Sequence, residues 1–103
     1  MATLKSQVDN TLQVVVKIVG YVNGTINPNI KSYEGELKEM SKEFADLKPG
    51  SHAYRQLGKA YGEKKNDLSE EMGRRKGALN ACHELVKVLG KTLELVDNVW
   101  VIK

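Results

Sequence analysis

Cys82-His83-Glu84 is the one short run in the chain whose side chains could bind a metal ion or pair a nucleophile with a base. A metal needs donors that converge, and a thiolate nucleophile needs an imidazole within hydrogen-bond reach. The run lies inside an apolar pattern with steps of three and four, which predicts a helix, and neighbouring side chains on a helix diverge by about 100°. The three therefore cannot meet on one ion, and His52 is the only other histidine. The spacing predicts an inward Cys82 and a solvent-facing His83, with no metal site. No paired carboxylates, serine triad or cofactor motif can be assembled from the remaining residues, so the expectation is a protein that is not an enzyme.

Arg74-Arg75-Lys76, with Lys48, Arg55, Lys59, Lys64 and Lys65 nearby, could bind phosphate in a salt-sensitive way. Glu63, Asp67, Glu70 and Glu71 are interleaved, and no zinc, RNP or helix-turn-helix pattern accompanies them. The net charge of +3 decides nothing. A solvated face of mixed sign is favoured, with a basic patch for nucleic acid as an alternative. Gly58-x-x-x-Gly62 and Gly73-x-x-x-Gly77 could permit close helix approach, but a phosphate loop would need a following Lys-Ser or Lys-Thr that the chain lacks. Asn23-Gly24-Thr25 matches a glycosylation acceptor and reads more simply as a turn.

The elements that position these residues follow from apolar spacing. Ile30, Tyr33, Leu37, Met40, Phe44 and Leu47 step by three and four with mixed charges between them, the pattern of a helix burying one narrow stripe. Lys48-Pro49-Gly50-Ser51 stops it, because proline cannot continue a helix, glycine accepts turn geometry and serine can cap a second helix. Tyr54, Leu57, Tyr61, Leu68, Met72, Leu79, Cys82, Val86, Leu89, Leu93, Val96 and Trp100 keep nearly the same spacing, predicting a second long helical region up to Trp100. The glycines within it each cost about 1 kcal/mol against alanine in a helix, most doubtfully between Tyr54 and Lys65. The start of the chain is charge-poor and valine-rich, so Leu12 to Val22 suits helix or strand; the steps from Leu4 through Val8, Leu12, Val15, Val19 and Val22 to Ile26 favour helix. Near Asn27-Pro28 the helix either restarts or passes through with a kink.

The predicted fold is all-α: one domain over residues 1–103, an antiparallel, coiled-coil-like hairpin of long helices that turns near 48–51. Folding about Pro49 sets Leu12 to Val22 beside Leu79 to Leu89 and leaves one polar end and one apolar end. A lone pair of helices buries little, so self-association into a helical bundle, or a protein partner, is expected. No apolar stretch reaches the roughly 20 residues of a membrane span. A single cysteine and a start without a basic leader region predict a mature, cytoplasmic protein.

The segment from Leu47 through Lys-Pro-Gly-Ser-His-Ala to Tyr54-Arg55-Gln56-Leu57-Gly58-Lys59-Ala60-Tyr61 resembles the central signature of β-type prefoldin subunits, in which a leucine ends the first coiled-coil helix and a short loop leads to a Tyr-basic-x-aliphatic-Gly strand. The resemblance implies a molecular co-chaperone. Small strands carrying Tyr54, Leu57, Gly58 and Tyr61 would join subunits, and the open ends, near Val15, Ile18, Val19 and Val22 and near Leu89, Leu93, Val96 and Trp100, would hold unfolded polypeptide. The same outline is similar to secreted helical hairpins of the Trp-x-Gly type, with Lys48-Pro49-Gly50 standing where that motif would fall. That likeness implies an adaptor docking one cognate protein through Val14 to Val22 and Leu79 to Trp100.

Overall fold

The computed structural model describes the backbone of residues 4–103 and the side chains of residues 7–103. The first three residues, part of the start read as lacking a leader, lie outside the described residues. The first arm is α1 (Leu4–Tyr21), a π-helical turn (Val22–Ile26) and α2 (Asn27–Ala45); the second is α3 (His52–Val88), followed by β1 (Leu93–Val96) and β2 (Val99–Ile102). The β-branched valines of α1 lower its intrinsic helix propensity. It is helical because Val15, Val19 and Val22, stepping by four and three, are buried on one face.

The first arm passes through Pro28 without restarting. Proline has no N–H and its ring clashes with the carbonyl four residues back, so a regular α-turn cannot be kept there. The π-turn just before it widens the helix, which eases the clash, and the Asn27 N–H donates to the Val22 carbonyl, five residues back. It also keeps the core aligned. From Val22 through Ile26 to Ile30 is eight residues, and two α-turns take about 7.2, so the wider turn absorbs the excess and all three side chains stay buried.

Beyond Ala45 the chain reverses. Gly50 takes a φ of 83°, a region closed to most side chains, and the Ser51 hydroxyl accepts from the Tyr54 N–H at 3.2 Å as the cap of α3. Tyr54 to Tyr61 is therefore the start of a helix. The strand that the prefoldin resemblance implies there is not formed. The second arm runs back beside the first: Phe44 meets Tyr54, Lys64 meets Glu36 and Arg75 meets Asn27. Val15, Val19, Val22, Ile26 and Ile30 thereby share one core with Leu79, Cys82, Val86 and Leu93.

The all-α expectation fails at the carboxy terminus. Leu89 N–H donates to Leu85 and Val86, Gly90 at φ 72° donates to Lys87, and Lys91 reaches the Val86 carbonyl at 2.8 Å. This is a Schellman stop, in which the glycine adopts the left-handed conformation and ends the helix. Leu93, Val96 and Trp100 thus leave the helical series and enter an antiparallel hairpin that pairs Leu93 with Ile102, Leu95 with Trp100 and Val96 with Val99. Asp97 and Asn98, at φ 51° and 66°, form the two-residue turn whose twist suits such a hairpin.

Leu93, Leu95, Trp100 and Ile102 share the face toward the helices, since alternate residues share a face; Leu93 is buried there, with Trp100 and Ile102 packed alongside. A two-residue loop makes Val96 and Val99 the hydrogen-bonded pair, so the Trp100 N–H and carbonyl point outward from the sheet. Asn23 receives both: its Oδ1 accepts from the Trp100 N–H and its Nδ2 donates to the Trp100 carbonyl, each at 2.9 Å. One side chain of the π-turn thus extends the edge of the sheet. The molecule measures 68 × 27 × 16 Å with a radius of gyration of 19.7 Å, where a compact chain of this length would have about 13 Å. Its thinnest dimension scarcely exceeds a helix diameter.

Candidate functional site

The sheet covers part of one side of the two-helix layer, where Val16 stays 54% exposed, and no strand lies on the other side. With Val15 as the centre of the buried face of α1 and Cys82 as that of α3, about 100° per residue puts Asn23 and His83 on the same flank of the layer. Both touch Trp100, Asn23 by its two hydrogen bonds and His83 by an edge-on ring contact with centroids 5.9 Å apart. The same arithmetic puts Val14, Ile18 and Tyr21 of α1 and Ala81, Leu85 and Val88 of α3 on the opposite flank. Val14 is 51% exposed, Tyr21 52% and Val88 85%, well beyond what a packed face leaves open, while Ile18 and Leu85 are half-buried.

No charged residue falls in this sector from Gln7 to Tyr21 or from Ala78 to Val88. Thr11, its most polar member beside Gln7, bonds its hydroxyl back to the Gln7 carbonyl at 2.9 Å. At the open end, Val8 and Thr11 border a shallow groove with Leu85, Val88 and Leu89. The result is a continuous apolar strip across both helices, rimmed by polar side chains, of the kind that marks an interaction surface.

The residues expected to meet a partner fall into four places. Val15, Val19, Val22 and Leu93 are buried in the chain's own core. Tyr54, Leu57 and Tyr61 are half-buried at the turn end, where Phe44 meets Tyr54 and Tyr61 edge-on at 5.2 and 5.8 Å. Ile18 lies within the bare strip and Leu89 at its edge, while Val96 is exposed on the outer face of the sheet and Trp100 lies beneath the sheet. The expectation passed over Val14, Tyr21, Leu85 and Val88 as separate residues. Their signal is the second apolar stripe of α1, which the crowding of Val14, Val15, Val16, Ile18 and Val19 announces.

Cys82 is fully buried, and burial pushes its thiol above the ordinary value. It stays protonated at neutral pH and is a poor nucleophile. His83 leans on Trp100 and Glu84 points outward, so the run diverges as helix geometry requires; among the described residues no three His, Cys, Asp or Glu side chains gather around a common point. The basic residues are also dispersed. Lys64 bonds Glu36 at 3.0 Å, which raises its pKa, and lies over the Tyr33 ring at 5.1 Å. Arg75 donates to Asn27 at 3.1 Å, and Arg74 and Lys76 leave the helix in other directions. Beneath the sheet tip, Arg75 and Lys31 border a cleft of about 390 Å³ with Glu34, Asn98 and Trp100. The glycines of α3 have open space where a Cβ would stand, so neither Gly-x-x-x-Gly pair serves a close helix crossing.

Compared with protein families, curated proteins and solved structures, the chain matches none. Among the described residues no helix is long and apolar enough to cross a membrane.

One buried group in α3 works against stability. Glu71 is 5% exposed; its Oε2 lies 3.8 Å from Arg74, and its Oε1 has no hydrogen-bond partner among the described residues. A buried acceptor without a partner costs about 1–3 kcal/mol. Glu71→Leu is expected to stabilise the fold by about 1 kcal/mol and raise Tm by about 4–8 °C, read by calorimetry; a fall in Tm would show that the carboxylate is needed where it is.

Proposed function

We propose that the protein is a non-enzymatic binding module that engages another polypeptide through the bare strip formed by Val14, Ile18 and Tyr21 with Leu85 and Val88. The observation that carries this reading is the joint exposure of Val14, Tyr21 and Val88 on one uncharged face of the helical layer, opposite the face on which the sheet packs. Covering apolar area of this kind removes it from water, which is the dominant favourable term in most protein association.

One defined protein partner fits the strip better than the varied clients of a prefoldin-like co-chaperone do. The face is regular and built on two packed helices, whereas the prefoldin-type assembly strands would occupy Tyr54 to Tyr61, where α3 begins. The co-chaperone version carries its own expectation: the protein would suppress aggregation of a denatured test protein, and Val14→Glu would abolish that effect.

The direct test places a photo-crosslinking amino acid at Val14 in cells, with Lys59 near the polar turn as control. The expected outcome is a discrete protein adduct at position 14 and none at 59. No adduct at 14, or equal labelling at both, would remove the strip as a binding face.

A further inference from the structure

We propose that the occupant of the bare strip is a second copy of this chain, stacked so that α1 of each copy lies over α3 of the other. The inference rests on the strip being the binding face and adds the identity and orientation of what covers it.

Self-complementarity is the first argument. A two-fold interface sets the same patch against itself, so it must tolerate its own chemistry. This strip does, because neither its α1 half nor its α3 half carries a charge. A charged partner surface would be left unpaired against it, at a high desolvation cost.

The margins supply the orientation. Lys17 follows Val15 by two residues and Glu84 follows Cys82 by two, so each leaves its helix almost directly away from the core, leaning slightly toward the bare side. Both are exposed, and they are the charged residues that border the strip. Face-to-face stacking places the two-fold axis in the interface plane, which leaves two choices. An axis across the helices stacks α1 on α1 and α3 on α3, like margin on like. An axis parallel to the helices stacks α1 on α3 and sets each Lys17 along the margin that carries Glu84 of the other copy. Charge selects the second.

The size of the strip is compatible with such a pair. The strip covers about 15 residues of helix, or about 22 Å, by two helix widths of about 10 Å each. Two such faces bury on the order of 1,000 Å², at the small end of specific interfaces. An interface this small is expected to make the dimer concentration-dependent, its two layers enclosing one four-helix core at the open end.

Sedimentation of the full chain across a concentration series is the test. The expected result is a mass rising from 11.5 kDa toward twice that value. Val14→Glu changes a side chain already solvated in the single copy, so circular dichroism should remain helical while association falls at least about a hundredfold, as expected when an unpaired charge must be buried. Lys17→Glu and Glu84→Lys should each weaken the dimer several-fold, and the double variant should recover it, as margin charges do.

A wild-type chain that stays monomeric to high concentration, or a Val14→Glu variant that still dimerises, overturns the proposal. Failure of the double variant to recover overturns the orientation. A monomer that nevertheless forms adducts of a different mass at position 14 removes the second copy and leaves the binding face standing. A monomer with no adducts removes both.

Discussion

Asn23→Ala will release the carboxy-terminal hairpin from the helices. The variant leaves the Trp100 N–H and carbonyl without the partner that holds each at 2.9 Å. Part of that loss is recovered by water, because the site is only partly buried, so the expected cost is about 2–3 kcal/mol. A two-stranded hairpin with four-residue strands has little stability of its own, so undocking is expected to accompany the loss. Trp100 is the chain's one tryptophan and reports directly: its emission should shift to the red and become accessible to quenchers while the helical signal falls little. Asn23→Asp should not rescue, since a carboxylate keeps the acceptor but removes the donor and sets negative charge against the Trp100 carbonyl. An unchanged emission spectrum in Asn23→Ala would mean that apolar packing of Leu93, Trp100 and Ile102 holds the sheet without the amide.

The second large effect is at Ile26, which is 1% exposed at the end of the π-turn and packs in the core with Leu79, Cys82 and Val86. Ile26→Ala removes three buried carbons and leaves a cavity that a widened helical turn, braced by Pro28, cannot collapse to fill. The cost is expected at about 2–5 kcal/mol, a large share of the roughly 5–15 kcal/mol that holds a domain together. Urea denaturation should show a lower midpoint with an unchanged slope. Val14→Ala on the bare strip is the matching control and should move the midpoint little. If the two variants behaved alike, the core would not be centred on the π-turn.

Much of the helical layer could be read from the chain before its structure. The three-and-four spacing from Ile30 to Leu47 and the break at Lys48-Pro49-Gly50 announce α2 and its end, and the Ser51 cap is where its residue type puts it. The sheet was hidden by coincidence: Leu89, Leu93, Val96 and Trp100 continue the helical spacing, so periodicity alone carried the second helix too far. The contrary signals are local. Gly90 matters as the left-handed residue that stops a helix, more than as a weak helix former, and Asp97-Asn98 stands between two four-residue runs rich in leucine, valine and isoleucine. Asn23-Gly24 misled in the other direction, since it looks like a turn yet lies within a continuous helical arm. Its role depends on Trp100, 77 residues away, and no local pattern contains that pairing. The candidate face was only partly legible, because a run of five apolar residues among six tells that a helix has two apolar sides without telling which one its own chain will cover.

The π-turn also fixes where the molecule can bend. α3 is a continuous strut of 37 residues, about 55 Å long at 1.5 Å per residue, and the arm beside it has one irregular joint at Val22–Ile26. Load applied between the polar and apolar ends concentrates at such a joint, since helices kink where their hydrogen-bond ladder is irregular. Asn23, reaching from that joint to the backbone of Trp100, makes the hairpin a splint. The unbroken α3 and the splinted hairpin thus brace that joint from two sides.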